Sequence, residues 1–435
     1  MVASYYTKVL VFLICKLTNY YPSKIIKIIV NHTFGKSFKF PEKFTNNRLI
    51  VIRYFLKTLR YNISNSLDFN NFENLIFDAQ ISSKNLRIEY LRHYTKIKDF
   101  DFISYNELLF FKSNFHKIFY FFYSLPFVLL LTIISQFYQN RSSFALLIEY
   151  PLVLNNLFTI FKLKNNISSV YYFSIVERES NIFAYFFQKR NIKVVKITSD
   201  TPLVFWNQNI LSNELLLCNK YQFEEVKFYK SSINVDNIHF LGPELSLNYN
   251  QLYDVNTKTV NHTIGFYSTA SWVRNQEGQI NQGIDFLKYE RKVLVCLKNY
   301  LLKNKHIKLF IFLHPKENTK KFFKLSINYY KDFFSGEIPY EIFNNSKSSS
   351  QLFDTVDLGV AFNSTILHER LYCGFKTLFY PNNTFFPIKN STLSTICAKN
   401  DDDFENLITK AMDSNTFDFF NNNNLVSYSK RVLKQ

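Results

Sequence analysis

Three short segments of this 435-residue chain carry side chains suited to phosphate binding and acid–base chemistry: Ser268-Thr269 with Arg274 and Glu277, His314-Pro315-Lys316, and Asn363-Ser364-Thr365 with Glu369. Asn363 to Thr365 opens a helical pattern, STILHERLYCG. A helix N-terminus presents free backbone N–H groups and the positive end of its dipole, so Ser364 and Thr365 suit a phosphate and their hydroxyls add donors. The competing reading is that Asn363 or Ser364 only caps the helix, a common use of both residue types. Glu369 falls one turn after Thr365 on the same face, where it either reaches a ribose hydroxyl or is a solvated surface carboxylate. His314 ends an apolar run and is held by Pro315 beside Lys316, so it offers a hydrogen bond or positive charge to a leaving phosphate, although a lone histidine is more often structural. Glu277 precedes Gly278 in an expected loop. It suits a general base on an acceptor hydroxyl if its surroundings raise its pKa, and is otherwise an exposed loop acid.

The elements that must position these residues follow from alternating short apolar and longer amphipathic runs. From residue 144, the runs 169–175, 192–197, 214–218 and 237–241 predict buried parallel strands, with helices over 180–189 and 220–229. The polar stretch 245–262 reads as a linker. Beyond it, strands are expected at 263–267, 308–313, 339–343, 357–362 and 376–380, and helices at 284–302, 319–334, 364–373 and 401–412. The expected fold class is α/β, two Rossmann-like lobes (144–244 and 263–435) facing a cleft, after a mostly helical region 1–143 with no assigned chemistry. All three segments then lie just past strands of the second lobe, where open α/β sheets bind ligands.

Composition narrows the class. The chain has 47% hydrophobic residues, 49 Phe and 29 Tyr, and is folded rather than fibrous or disordered. An AT-biased coding preference accounts for so many aromatic, Lys, Asn and Ile residues, so aromatic clusters are discounted as binding signals. Only 8 glycines occur, six of them between 265 and 374, which marks that stretch as having the tightest backbone requirements. Five scattered cysteines without a CxxC pair read as reduced cytosolic thiols, and no spacing suits a structural zinc. Phosphate-loop, dinucleotide, zincin and nucleophile-elbow motifs are absent. The 52 Lys and Arg against 34 Asp and Glu leave net charge +18. Such a charge meets the first criterion for a nucleic-acid binder, but the lysines are dispersed and no such motif appears, so no nucleic-acid partner is expected.

Val9 to Cys15 is apolar but too short, and without a cleavage site, to read as a signal peptide. Ile118 to Ser135 is an uncharged stretch of eighteen residues between Lys117 and Arg141, with Pro126 in its middle. It reads as a buried core helix broken at Pro126, as an interfacial helix, or as a minimal membrane span. A chain of this charge is drawn to an anionic inner leaflet in any of these cases, which implies a cytoplasmic location, peripheral on the inner face of the cytoplasmic membrane.

The order Glu277-Gly278, His314-Pro315, Ser364-Thr365 resembles bacterial GT-B glycosyltransferases that use CMP-activated acidic sugars, the sialyl-, polysialyl- and Kdo-transferases of capsule and lipooligosaccharide synthesis. Their acidic pair before glycine is matched only in part, because Gln276 stands at its first position. The resemblance implies that His314 assists the phosphate leaving group, Ser364 and Thr365 hold the nucleotide phosphate, and Glu277 deprotonates the acceptor. The segment His368 to Pro381 is similar to the wider GT-B pattern in which a glutamate, here Glu369, holds the donor ribose. Trp272 and Arg274 resemble a pair in the CDP-glycerol and CDP-ribitol polymerases of teichoic-acid synthesis, a second fitting family. These resemblances imply a nucleotide-sugar donor and a glycan or lipid-linked acceptor. No cofactor or catalytic metal is expected, since Asp401-Asp402-Asp403 reads as an acidic helix start. The donor site is expected to comprise Ser268, Thr269, Arg274, His314, Pro315, Lys316, Asn363, Ser364, Thr365 and Glu369. A non-catalytic GT-B-like membrane scaffold is the remaining alternative.

Overall fold

The computed structural model describes residues 50–61, 73–78, 84–104, 110–135, 167–173, 190–198, 210–228, 233–242, 262–277, 286–343, 349–362, 364–380 and 391–429, with positions 63, 108, 152, 156, 184, 187 and 188 between them. Val9 to Cys15, most of the expected helix 180–189, the expected linker apart from His262, Gly278 and Asn363 lie outside the described residues. The chain divides into two compact units.

The first unit contains helices α1 (Ile50–Thr58), α2 (Lys84–Thr95) and α3 (Asn114–Ser135) and strands β1 (Asn74–Asp78), β2 (Asp101–Ser104), β3 (Ser169–Tyr172), β4 (Lys193–Ile197), β5 (Ile210–Leu217) and β6 (Ile233–Phe240). The strands form one sheet in the order β2-β1-β3-β4-β5-β6, and β1 pairs in parallel with both β2 and β3. The region 1–143, expected to be mostly helical, thus supplies two strands of this sheet. Asn-Leu-Ile-Phe-Asp and Asp-Phe-Ile-Ser are too short to show a period of two, and only pairing, of the first with Ser169–Tyr172 and of the second with the first, makes them strands. A second correction concerns 237–241. It belongs to β6, an edge strand whose Asp236, Asn237, His239 and Phe240 are exposed rather than buried.

Helix α3 corrects the reading of the apolar stretch. It runs unbroken through Pro126, burying Tyr120, Val128 and Leu131 while leaving Phe115, Ile118, Phe119, Phe122, Leu129 and Ile133 exposed. Among the described residues, no helix is long and apolar enough to cross a membrane.

The second unit contains α4 (Lys220–Phe228), β7 (Thr263–Tyr267), α5 (Ser271–Gln276), α6 (Phe286–Lys303), β8 (Lys308–Phe312), α7 (Phe323–Phe334), β9 (Tyr340–Phe343), β10 (Leu358–Ala361), α8 (Thr365–Tyr372), β11 (Thr377–Phe379), α9 (Asp401–Asp413) and α10 (Thr416–Asn422). Placing α4 here moves a boundary, since 220–229 was expected in the first lobe. The helix starts with a reciprocal cap, Asn219 Oδ1 accepting the Gln222 N–H at 2.9 Å and Gln222 Oε1 the Cys218 N–H at 2.9 Å. Its Glu224 then accepts hydrogen bonds from Thr392 Oγ1 at 2.7 Å and the Tyr428 hydroxyl at 2.8 Å, which ties it to this unit.

The second sheet has the order β11-β10-β7-β8-β9, parallel throughout. The chain steps outward from β7 through β8 to β9, then returns to the other side of β7 for β10 and β11. This reversal between β7 and β10 is the topological switch point of a doubly wound sheet. Strand β7 is buried at all five positions, as a central parallel strand must be. The Arg370 side chain lies fully buried beside it, donating to the Tyr267 hydroxyl at 2.8 Å and the Phe353 carbonyl at 2.9 Å. Gly359 of β10 makes the room, for a Cβ there would stand 2.3 Å from Arg370 Nε. The acidic run at 401–403 opens α9 as expected, with the Asn400 side chain accepting the Asp403 N–H at 2.9 Å. Among the described residues, Cys218, Cys296, Cys373 and Cys397 form no disulfide.

Candidate active site at the carboxyl edge of the second sheet

Strands β10, β7 and β8 are neighbours and run in parallel, so the segments after them emerge side by side at one sheet edge. Adjacent strands lie about 4.8 Å apart, which gathers residues nearly a hundred positions apart in sequence. The Ser268 N–H donates to the carbonyl of Phe312, the last residue of β8, at 3.0 Å and ties the first segment to the strand that leads into the second.

The segment after β7 is a tight turn into the short helix α5, where a loop was expected. Ala270 caps α5 in the left-handed region, at φ 53°, a conformation that costs an L-residue about 1 kcal/mol. Buried acceptors hold the turn. Ser268 Oγ accepts the Ala270 N–H at 3.0 Å, and Glu290 of α6 accepts the Thr269 N–H at 2.7 Å together with the hydroxyls of Thr269 and Ser271. Glu290 is fully buried, and burial raises its pKa above the usual carboxylate range against those hydrogen bonds.

A second buried carboxylate organises the segment after β8. Glu317 accepts the His314 N–H at 2.9 Å on one oxygen, and the Trp272 indole N–H at 2.6 Å and Tyr330 hydroxyl at 3.2 Å on the other. One side chain thus fixes the His-Pro turn and the start of α5. Burial, and next the charge of Glu290, push its pKa up to about 7.

The His314 ring is half-buried, and its Nδ1 accepts the Lys316 N–H at 3.1 Å. This arrangement leaves Nε2 as the protonated, donating nitrogen of a neutral ring. Burial, and then the positive charges of Arg274 and Lys316, push its pKa down to about 4. Of the two actions considered from sequence, the free site therefore presents a neutral hydrogen-bond donor beside two separate cations. Arg274 donates from Nε to the Thr269 carbonyl at 3.1 Å. Lys316 pairs with Glu277 at 3.2 Å.

The remaining site residues fall as follows. Glu277 follows α5 directly on the surface, in that ion pair with Lys316, so its surroundings are not the enclosed ones expected of a base. Pro315 is exposed on the rim. Ser364 occupies the N-cap position of α8 with extended backbone, yet its hydroxyl accepts no helix N–H. The cap alone does not account for that side chain. Thr365 is half-buried beside it. Glu369 is buried, which rules out a solvated surface carboxylate. His368 next to it is buried against Tyr221 and Phe379, its Nδ1 without a hydrogen-bond partner, and burial lowers its pKa to about 4.

Sequence reasoning assigned no role to Glu290, Glu317 or Tyr330. A signal for Glu290 existed. Positions 290, 293, 294, 297 and 301 share one helical face, and all but the first are Val or Leu. A carboxylate on such a face needs buried partners.

No protein-family model and no curated protein matches the sequence. Solved structures align with most of the chain. A. baumannii MurG aligns with 9% identity, TM-score 0.42, covering 83% of this chain and 94% of its own. A Methanocaldococcus jannaschii UDP-GlcNAc 2-epimerase in complex with UDP-GlcNAc and UDP aligns with 11% identity, TM-score 0.43, covering 79% and 93%. The wall teichoic acid polymerase TagF aligns with 11% identity, TM-score 0.32, covering 88% and 90%.

Proposed function

We propose that this protein is a glycosyltransferase of GT-B type that moves a sugar from a nucleotide-activated donor, a CMP-sugar, to a glycan or lipid-linked acceptor in cell-surface polysaccharide synthesis, of capsule or lipooligosaccharide. The observation that supports the reading is the sheet edge at the switch point, where the turns carrying Arg274 and the neutral imidazole of His314 with Lys316 follow β7 and β8, and the helix start at Ser364 and Thr365 follows β10, the neighbour of β7. Such donors and cations, with Lys316 released from its ion pair with Glu277, suit the phosphate of a nucleotide. His314 would donate through Nε2 to the phosphate oxygen on which charge develops as the glycosidic bond breaks. Ser364 and Thr365 would hold the nucleotide phosphate and Glu369 the ribose. Glu277 is the acid offered as acceptor base, and releasing it for that role requires Lys316 to turn toward the arriving phosphate. No catalytic metal is invoked, because the cations of the site supply the charge. The enzyme would act at the inner face of the cytoplasmic membrane, where lipid-linked acceptors reside.

A thermal-shift series with CMP, CDP, UMP, UDP, GDP and ADP, repeated on Ser364→Ala, tests the reading. A ligand at a hundred times its Kd stabilises by about 2.7 kcal/mol, a shift of several degrees. CMP stabilisation that weakens in the variant is the expected result. A preference for CDP would favour a CDP-glycerol or CDP-ribitol type transfer. A response to no nucleotide would overturn the reading and favour a non-catalytic scaffold.

A further inference from the structure

Helix α3 presents an apolar face that is left exposed among the described residues. Phe115, Ile118, Phe119, Phe122, Pro126, Leu129 and Ile133 are all exposed, Phe115 by 77% and Phe122 by 67%. Their spacing of one, three and four residues sets them on one side of the helix. The opposite side, Tyr120, Ser124, Val128 and Leu131, is buried, and the Phe121 ring on its flank stacks on Phe55 of α1 at 5.7 Å between centroids. The helix is therefore already seated, and the exposed face is surplus to folding. At 1.5 Å per residue its 22 residues form a ridge about 33 Å long.

The charges around the ridge indicate its occupant. No Asp or Glu occurs between Glu42 and Asp68, or between Glu107 and Glu149. Within those windows Arg53, Lys57 and Arg60 of α1 and its end are exposed, as is Leu56, while Lys112 just before α3 and Lys117 in its first turn are half-buried. An apolar ridge carried by stretches of chain that hold cations and, within those windows, no acidic residue is complementary to a surface with acyl chains beneath a layer of negative charge. A second copy of this chain would bring like charges together. A spanning orientation would immerse a helix side already engaged with the core.

We propose that α3 docks this protein on an anionic lipid bilayer, lying in the plane of the membrane with Phe115, Phe119, Phe122, Leu129 and Ile133 in the interfacial layer and the α1 cations on the headgroups. The proposal deepens the membrane part of the function proposed above and is independent of the transferase chemistry.

Flotation of the full chain with phosphatidylcholine vesicles containing about one-third phosphatidylglycerol, and with phosphatidylcholine alone, tests it. The wild type should float with the anionic vesicles, and be released by about 0.5 M salt. Phe115→Asp/Phe119→Asp/Phe122→Asp should lower binding at least about tenfold, whereas Phe417→Asp, an exposed phenylalanine of α10, should not. Because a triple change can disturb folding, Arg53→Gln/Lys57→Gln/Arg60→Gln provides a second test. It should lower binding about a hundredfold at low salt, at about 1 kcal/mol per cation near the surface. Nucleotide stabilisation of the same samples reports the transferase site separately. Failure of the wild type to float, equal binding to neutral vesicles, or triple and charge variants that bind like the wild type would each overturn the proposal. So would a wild-type dimer in solution that the triple variant converts to monomer, because the ridge would then face a second copy.

Discussion

Replacing Glu317 with Gln should cost much more stability at pH 5 than at pH 8. Two oxygens of this buried carboxylate accept the His314 N–H, the Trp272 indole and the Tyr330 hydroxyl. Glutamine retains one acceptor oxygen for Trp272 and Tyr330, but turns an NH2 group toward the His314 N–H. The lost bond and the donor left without an acceptor cost about 2 to 4 kcal/mol. Against this stands the cost of ionising Glu317 in a buried site, which raises its pKa from 4.5 to about 7. The folded protein holds this proton more tightly than the unfolded chain does. That contribution to stability is fully present below pH 4.5 and is lost as pH rises through about 7. Between pH 5 and pH 8 the wild type should lose about 2 to 3 kcal/mol on this account, at about 1.4 kcal/mol per pKa unit, and the glutamine variant should lose none of it. The cost of the substitution should therefore shrink to about 1 kcal/mol or less at pH 8. Urea unfolding followed by Trp272 fluorescence measures it, since the chain has two tryptophans and Trp206→Phe leaves Trp272 as the sole reporter. A cost that is equal at the two pH values, or larger at pH 8, would refute the argument that burial outweighs three hydrogen bonds at this carboxylate.

Gly359→Ala should destabilise by at least about 3 kcal/mol, because the new Cβ meets the fully buried Arg370 at 2.3 Å from Nε; thermal unfolding reads it. Histidine-selective NMR, assigned with His314→Ala, should show the His314 ring of the free protein neutral from pH 5.5 to 8, since its pKa lies at about 4; titration near the ordinary 6.5 would contradict the neutral-donor role. His368 is also held neutral by burial, with its pKa lowered from 6.5 to about 4. Its contribution to stability is present above pH 6.5 and is lost as pH falls through 4, by up to about 3 kcal/mol. His368→Phe keeps the ring contacts with Tyr221 and Phe379, and should flatten the wild-type decline seen in unfolding at pH 6.5 and pH 4.

The second unit was legible in sequence nearly element by element, because each of its central strands is a continuous apolar run ended by a polar or proline-containing turn, as in Lys308–Phe312 before His314-Pro315. In the first unit, β1 and β2 escaped notice because four or five residues carry too little periodicity to declare a strand without their partners. The apolar content of 118–135 was evident, yet hydropathy cannot say which side of a helix is covered. That depended on α1, whose Phe55 packs on Phe121.

At the site, the residue types and their order along the chain come from the sequence alone, as does the placement of His314, Ser364 and Thr365 just past strands. Their assembly at one edge needed the strand order, since only the pairing of β10 with β7 makes segments ninety residues apart neighbours. The electrostatics needed more. A histidine reads the same in any sequence, but here its ring accepts a backbone N–H from Lys316, and burial beside Arg274 and Lys316 keeps it neutral. Glu290 and Glu317, to which the sequence assigned no role, are the acceptors that fix the two loops. Charge state and hydrogen-bond direction depend on what surrounds a group in three dimensions, and tertiary packing alone supplies those surroundings.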